Sequence, residues 1–266
     1  MSRLQRVMQR VQSRGHDYGP LRAAAGKAAA LALARQTPIG MFNKNVLRAK
    51  VVQGVVAALA GTGFYEMGTY HAATTIGAQR FLQVPVWSCE VNPRNYCISR
   101  LVTLGLPQIT LIHADSRAFL RRVCAELKAV PGARPCFYLD AHENELDLAT
   151  LPLAEELPLI FALDEFAVLV DDFGVPEQAG YRAGTFGGVT VEVDLIRPLL
   201  LDQGIRTCYF PAYPAAEDTG YPSGFCLFWR SARLDAAMRE RAFPLDLIHP
   251  YSVERRAYVE RASVAK

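Results

Sequence analysis

Phe64-Tyr65-Glu66-Met67-Gly68-Thr69-Tyr70-His71-Ala72-Ala73-Thr74-Thr75 is the stretch that decides the fold. An aromatic, strand-like start runs into the acid Glu66. Gly68 follows two residues later, and a small-residue segment that can open a helix comes next. A strand, a glycine turn and a helix start, in that order, hold a nucleotide-like ligand at the first strand of a doubly wound sheet. The glycine lets the backbone come close to the ligand, and the helix start offers free N–H groups.

Four acid-tipped strand signals follow. Glu90 ends Val84–Glu90, Asp115 ends Ile109–Asp115, Asp140 ends Cys136–Asp140, and Asp171 and Asp172 end Phe166–Asp172. Helical patterns over about 73–82, 93–103, 116–128 and 151–163 separate the strands. Alternation of this kind predicts an α/β fold with a parallel sheet covered on both faces. Residues 180–188 read as a glycine-rich loop and 189–203 as a helix. Two late strands, 206–210 and 224–229, complete a mostly parallel, seven-stranded sheet.

The strand ends narrow the ligand. Glu90 lies 22 residues after Gly68, where a carboxylate accepts hydrogen bonds from a ribose diol. Asp115 is placed to accept from an adenine amino group, and Asp115-Ser116 reads equally well as a helix N-cap. The dinucleotide pattern G-x-G-x-x-G is missing: Tyr70 and Ala73 stand at its later glycine positions. No G-x-x-x-x-G-K-[ST] loop occurs either. A ligand with ribose and adenine but no phosphates fits, and S-adenosylmethionine has that chemistry.

With those residues in hand, the chain resembles the class I S-adenosylmethionine-dependent methyltransferases. The resemblance rests on Glu66-Met67-Gly68-Thr69-Tyr70 with Thr74, on Glu90, Asp115 and Ser116, on Tyr138-Leu139-Asp140-Ala141-His142, and on Val170-Asp171-Asp172-Phe173. It runs over about residues 45–230. It is nearest to small-molecule O-methyltransferases similar to macrocin O-methyltransferase and the cephalosporin-hydroxylase-like proteins. The family usually carries a second glycine where this chain has Ala72.

The resemblance implies methyl transfer to a hydroxyl of a sugar or natural-product intermediate. Glu66, Gly68, Thr69, Tyr70, Thr74, Glu90, Asp115, Ser116 and Asp140 then line the cofactor. Carboxylates at comparable strand ends of metal-dependent relatives hold Mg²⁺, a hard cation that takes oxygen ligands. Carried over, Asp140, Asp171 and Asp172 are the candidate metal ligands. The alternative is that Asp140 caps a loop and one of the Asp171-Asp172 pair is solvated. His142 is either a general base beside the acceptor hydroxyl, as an imidazole titrating near ~6.5 permits, or a cofactor contact. Asp140 and His142 are the catalytic candidates. Two rival readings remain: a metal-dependent hydroxylase-like enzyme on the same scaffold, and a non-catalytic partner subunit that keeps the cofactor fold.

Composition sets the outer limits. The 266 residues are 51% hydrophobic, enough for a sizeable core without staples. No apolar run approaches the ~20 residues of a membrane span. The six cysteines include no C-x-x-C pair; four fall in predicted strands, which argues against disulfide or zinc frameworks. No secretory signal is present, so a cytoplasmic location is expected. Charge is uneven: residues 1–50 carry ten Lys/Arg against one acid, Asp17. We expect a basic helical extension over 1–45, a cofactor-binding domain over 46–232 and a helical tail over 233–266. The extension reads as a lid or homo-oligomer arm, as a solvated face, or as an element drawn to an anionic membrane or nucleic acid. It has no aromatic residue before Tyr18, which disfavours base stacking.

Overall fold

The computed structural model describes residues 40–141, 151–186, 188–240 and 247–259. The basic extension up to residue 39 and His142 lie outside the described residues.

Five parallel strands form as the alternation predicts: β1 (Gly63–Met67), β2 (Val86–Glu90), β3 (Ile109–His113), β4 (Pro135–Leu139) and β5 (Phe166–Asp171). A small hairpin, β6 (Thr185–Phe186) and β7 (Val189–Thr190), precedes β8 (Thr207–Pro211) and β9 (Phe225–Arg230). The sheet does not stop at seven strands. Two more, β10 (Ile248–Ser252) and β11 (Ala257–Tyr258), extend it to nine in the order β11-β10-β8-β9-β5-β4-β1-β2-β3. β9 runs antiparallel to β5, and β10 antiparallel to β8. Among the described residues, the C-terminal tail expected to be helical is helical over Ala232–Glu240 and strand in β10 and β11. The β-favouring Tyr251 and Val253 lie in or beside the β10 edge pairing and are buried.

The α-helices among the described residues are α1 (Val46–Leu59), α2 (Ala73–Leu82), α3 (Pro93–Val102), α4 (Ser116–Lys128), α5 (Leu153–Phe161), α6 (Val193–Asp202) and α7 (Ala232–Glu240). The predicted helix at 189–203 therefore loses its first four residues, two of them to the hairpin. Local chemistry fixes several starts. Asn92 caps α3 by accepting from the amides of Arg94 and Asn95, with Pro93 in the first position. Asp115 caps α4 by accepting from Ala118 N at 3.0 Å.

Strand alternation sorts the core. Phe64, Cys136, Tyr138, Ala167 and Leu169 pack on the face covered by α1 and α7. Tyr65, Met67, Phe137, Leu139, Val168 and Val170 pack on the face covered by α4, α5 and α6. Both faces are dry, as a doubly wound parallel sheet requires. β1 pairs with β2 on one side and β4 on the other. The chain thus switches direction at β1, and the crevice at the carboxyl ends of these strands is the place for a ligand.

Candidate functional site

The turn after β1 shapes this crevice. Gly68 adopts φ +91°, and a Cβ there would lie 2.5 Å from the Asp140 carbonyl oxygen. Only glycine lets the ends of β1 and β4 close to this distance. Tyr70 (φ 47°) and Ala72 (φ 61°) are left-handed too. Ala72 therefore stands where the backbone conformation favours glycine. Ala72 has no polar side-chain atom, so α2 begins with no side-chain cap. Its first amides remain for a ligand to meet.

Below the turn lies a buried hydroxyl–carboxyl chain. Thr75 donates to Glu66, Ser88 Oγ donates to Glu66 Oε2 at 2.7 Å, and Thr69 Oγ1 lies 2.6 Å from Ser88 Oγ. Glu66 was expected to line the cofactor. It is instead sealed beneath the turn and props it up. Burial pushes its carboxyl up to about 7, against the pull of the Thr75 and Ser88 hydroxyls. Thr74 is likewise turned to the protein, its Oγ1 accepting from Phe42 N at 3.0 Å.

Glu90 sits at the tip of β2 as predicted. Its carboxylate accepts from Tyr70 N at 2.7 Å and Asn92 N at 2.8 Å. These amides orient it and tie it to the glycine turn. Next to it, the rings of Tyr96 and His113 stack with centroids 5.0 Å apart. Asp115 is the cap of α4 and also meets Arg117 at 3.5 Å. Burial pulls its titration upward, but the Ala118 amide and Arg117 outweigh that and hold it below the usual range. Ser116 beside it is buried.

The carboxylates of β4 and β5 do come together, but not as a cation cage. Asp171 is fully buried and paired with Arg48 of α1, itself fully buried. A second Arg48 nitrogen donates to the Ser223 carbonyl and, at 3.1 Å, to Ser223 Oγ. Ser223 Oγ in turn donates to Asp171 Oδ1 at 3.1 Å. Burial works against the Arg48 charge, but Asp171 more than restores it, and its pKa rises. The Tyr138 hydroxyl reaches both Asp171 and, at 3.2 Å, Asp140 Oδ2. One phenolic proton cannot serve two carboxylates. A protonated Asp140 that donates to the phenol oxygen resolves the conflict. Burial, then Asp171 and Asp172, indeed hold Asp140 well above the carboxylate range.

Asp172 projects from a left-handed backbone (φ 48°), and burial and Asp171 raise its carboxyl to about 6. Among the described residues no group of three or more His, Cys, Asp or Glu side chains is arranged to hold a metal ion. Asp171 is already neutralised by Arg48. The expected Mg²⁺ triad of Asp140, Asp171 and Asp172 does not fit this geometry, and no step below is routed through a metal.

Arg48, Ser223, Thr75 and Ser88 were invisible in the sequence. Tyr138 was legible in part, since it shares a strand face with Asp140. Glu156, on α5, was also missed. It is wholly buried, and neither carboxyl oxygen has a hydrogen-bond partner of ordinary geometry.

No family model matches the chain, and no curated protein matches it. Solved structures similar to it include the O-methyltransferase from Bacillus cereus in complex with SAH. That protein is 15% identical over 82% of this chain and 93% of its own, with a TM-score of 0.49. A precorrin-6y C5,15-methyltransferase from Geobacter metallireducens is 14% identical over 68% of this chain and 88% of its own, with a TM-score of 0.40. Identities and scores this low leave the reaction to be argued from the side chains of this chain. The fold itself is plain in the strand order: a Rossmann-like sheet with an antiparallel strand inserted beside β5. Among the described residues no helix is long and apolar enough to cross a membrane.

Proposed function

We propose that this chain is an S-adenosylmethionine-dependent O-methyltransferase acting on a hydroxyl of a small molecule, a sugar or natural-product intermediate. The observation that carries this reading is the Gly68 turn closed onto the end of β4, with Glu90 held by the Tyr70 amide at its side. The turn forms a cradle that a Cβ would fill, and it carries no Lys or Arg for a pyrophosphate. The residues fit the cofactor. Glu90 would accept from the ribose diol, Asp115 and Ser116 would border the adenine, and the uncapped start of α2 would face the carboxylate of the amino-acid part.

When bound, S-adenosylmethionine supplies a methyl group on a cationic sulfur, open to in-line attack. The protein's work is alignment and desolvation. The turn fixes the cofactor against β1 and β4, and Asp140 and Asp172 present carboxyl groups on the acceptor side. Asp172, with a carboxyl raised to about 6, can hold the acceptor hydroxyl and take its proton. His142 is the second candidate for that proton, its other reading being a cofactor contact. This reading places the chain in the cytoplasm, consistent with six free cysteines. It also keeps the division at residue 46, with a homo-oligomer arm at the N-terminus, while the sheet runs on past 232 to take in β10 and β11.

Calorimetry with S-adenosylhomocysteine tests the reading, with micromolar binding expected. Binding of NAD in its place would overturn it. A labelled-methyl assay over hydroxylated small molecules then tests turnover and separates an enzyme from a cofactor-binding partner subunit.

A further inference from the structure

Three consecutive residues before α1 are left-handed: Phe42 (φ 49°), Asn43 (φ 56°) and Lys44 (φ 72°). For residues other than glycine this costs roughly 1–2 kcal/mol each, so the surroundings must hold the turn. They do so from two sides. On the cofactor side Phe42 N donates to Thr74 Oγ1. On the other side Tyr221 N donates to the Asn43 carbonyl at 3.2 Å, Thr219 Oγ1 to the Lys44 carbonyl at 2.7 Å, and Asn45 Nδ2 to the Tyr221 carbonyl at 3.0 Å. A Cβ on Gly220 would lie 2.3 Å from the Asn43 carbonyl oxygen. The turn and the segment 219–221 therefore form one clamped lip.

Tyr221 is 48% exposed on this lip. The Arg182 guanidinium lies over it, 5.6 Å from the centroid, with Nη1 3.4 Å from the phenol oxygen. Arg182 is pinned through its backbone: its N–H donates to the Pro222 carbonyl at 2.7 Å, and Gly224 N donates to its carbonyl at 3.1 Å. Two residues on, Gly184 N donates to the Asp172 carbonyl at 2.7 Å. That bond ties the segment carrying Arg182 to the backbone at the tip of β5. Neither Arg182 nor the exposed Lys44 forms an ion pair with any described acid.

A ring under the flat face of a guanidinium leaves its N–H edge for a ligand. That edge is weakly hydrated and matches a carboxylate or phosphate with two parallel hydrogen bonds. Asp172 at the crevice floor, ionised above its titration at about 6, disfavours an anion there. An acceptor with an anionic end would turn that end outward and its neutral hydroxyl inward, the orientation that methyl transfer needs. We propose that Arg182, seated on Tyr221, recognises an anionic group, carboxylate or phosphate, on the acceptor. That the anion belongs to an acceptor rests on the methyltransferase reading; the anion site itself does not.

The test is a titration of the ¹⁵N-labelled full chain, following the Arg182 Nε–H resonance in the wild type and the Tyr221 backbone N–H in the wild type and both variants. Inorganic phosphate and acetate are added separately, at constant ionic strength, with and without S-adenosylhomocysteine. A saturable shift with at least one anion is expected, and the tighter of the two identifies the source chemistry. Arg182→Gln, a surface change that keeps the fold, should weaken that binding at least about tenfold, and Arg182→Lys should recover only part, because the fork is lost. Absence of a saturable shift with both anions, or undiminished binding by Arg182→Gln, overturns the proposal. S-adenosylhomocysteine binding without anion binding counts against this site alone. Anion binding without S-adenosylhomocysteine binding counts against the cofactor reading alone.

Discussion

Arg48 and Asp171, 123 residues apart, meet as an ion pair with both side chains out of water, and Ser223 bonds to both. The pair joins α1, which precedes the sheet, to the tip of its fifth strand. Removing one partner strands the other. Arg48→Met should cost ~3–5 kcal/mol of stability, the usual result of leaving a buried charge uncompensated. The double variant Arg48→Met/Asp171→Leu should recover part of this loss. Urea unfolding of the three proteins reads the outcome. An Arg48→Met cost below ~1 kcal/mol would mean that the pair does not hold α1 in place.

Glu90 and Gly68 should separate binding from folding. Glu90→Ala is expected to weaken S-adenosylhomocysteine binding by ~1.5–3 kcal/mol, the worth of hydrogen bonds to a charged acceptor. Gly68→Ala should do more: its methyl would meet the Asp140 carbonyl and its φ would be strained. We expect it to abolish measurable binding and to lower the melting temperature as well. Wild-type affinity in Glu90→Ala would remove the ribose role from this residue.

The fold was legible because its signals are local and repeated. Four of the five predicted parallel strands end in an acid, and the first four are each followed by a helix pattern. β10 and β11 were not legible: Ile248–Ser252 contains a proline and gains its pairing only by reaching β8. The site was half legible. Gly68, Glu90 and Asp115 are set by chain-local turns and caps. The fate of Asp171 was decided by Arg48, a distant residue on a helix whose sequence marks it as nothing special. The two late strands also bring Ser223 to the site, and no spacing rule announces that. Spacing reveals which carboxylates reach an edge, but not which of them is already neutralised from behind.

Stability should fall with rising pH because of buried carboxyl groups away from the ligand. Burial first, against weaker help from Ser116 and Arg117, raises the Glu156 carboxyl from 4.5 to about 7. Between these values the folded chain keeps a proton that the unfolded chain has lost. The stabilisation is full below the unfolded value and is lost as pH rises through about 7. Glu66 acts in the same direction. Glu156→Gln keeps the shape and removes the ionisation. It should flatten the fall in stability between about pH 5 and about pH 8 by up to roughly 3 kcal/mol. Unfolding free energies at three pH values check this. An unchanged slope would show that Glu156 does not titrate there.

The last prediction decides between His142 and Asp172 as the base. His142 lies two residues past Asp140, outside the described residues, and Asp172 projects from the neighbouring strand end with a carboxyl raised to about 6. If His142 takes the acceptor proton, His142→Ala should lower turnover by ~10²–10⁴-fold with cofactor affinity nearly unchanged, because the loss falls on the transition state. Asp172→Asn should then act mainly on the acceptor KM. If Asp172 is the base, the roles exchange. Asp172→Asn carries the loss in kcat, and the acidic limb of the kcat–pH profile, expected near its own titration, disappears with it. The imidazole would then be a cofactor contact, and His142→Ala would weaken S-adenosylhomocysteine binding with the rate at saturating cofactor close to wild type. Turnover within about twofold of wild type in both variants would strike both residues from the mechanism. Alignment alone would then account for the rate, as an acceptor hydroxyl acidic enough to ionise in water would allow.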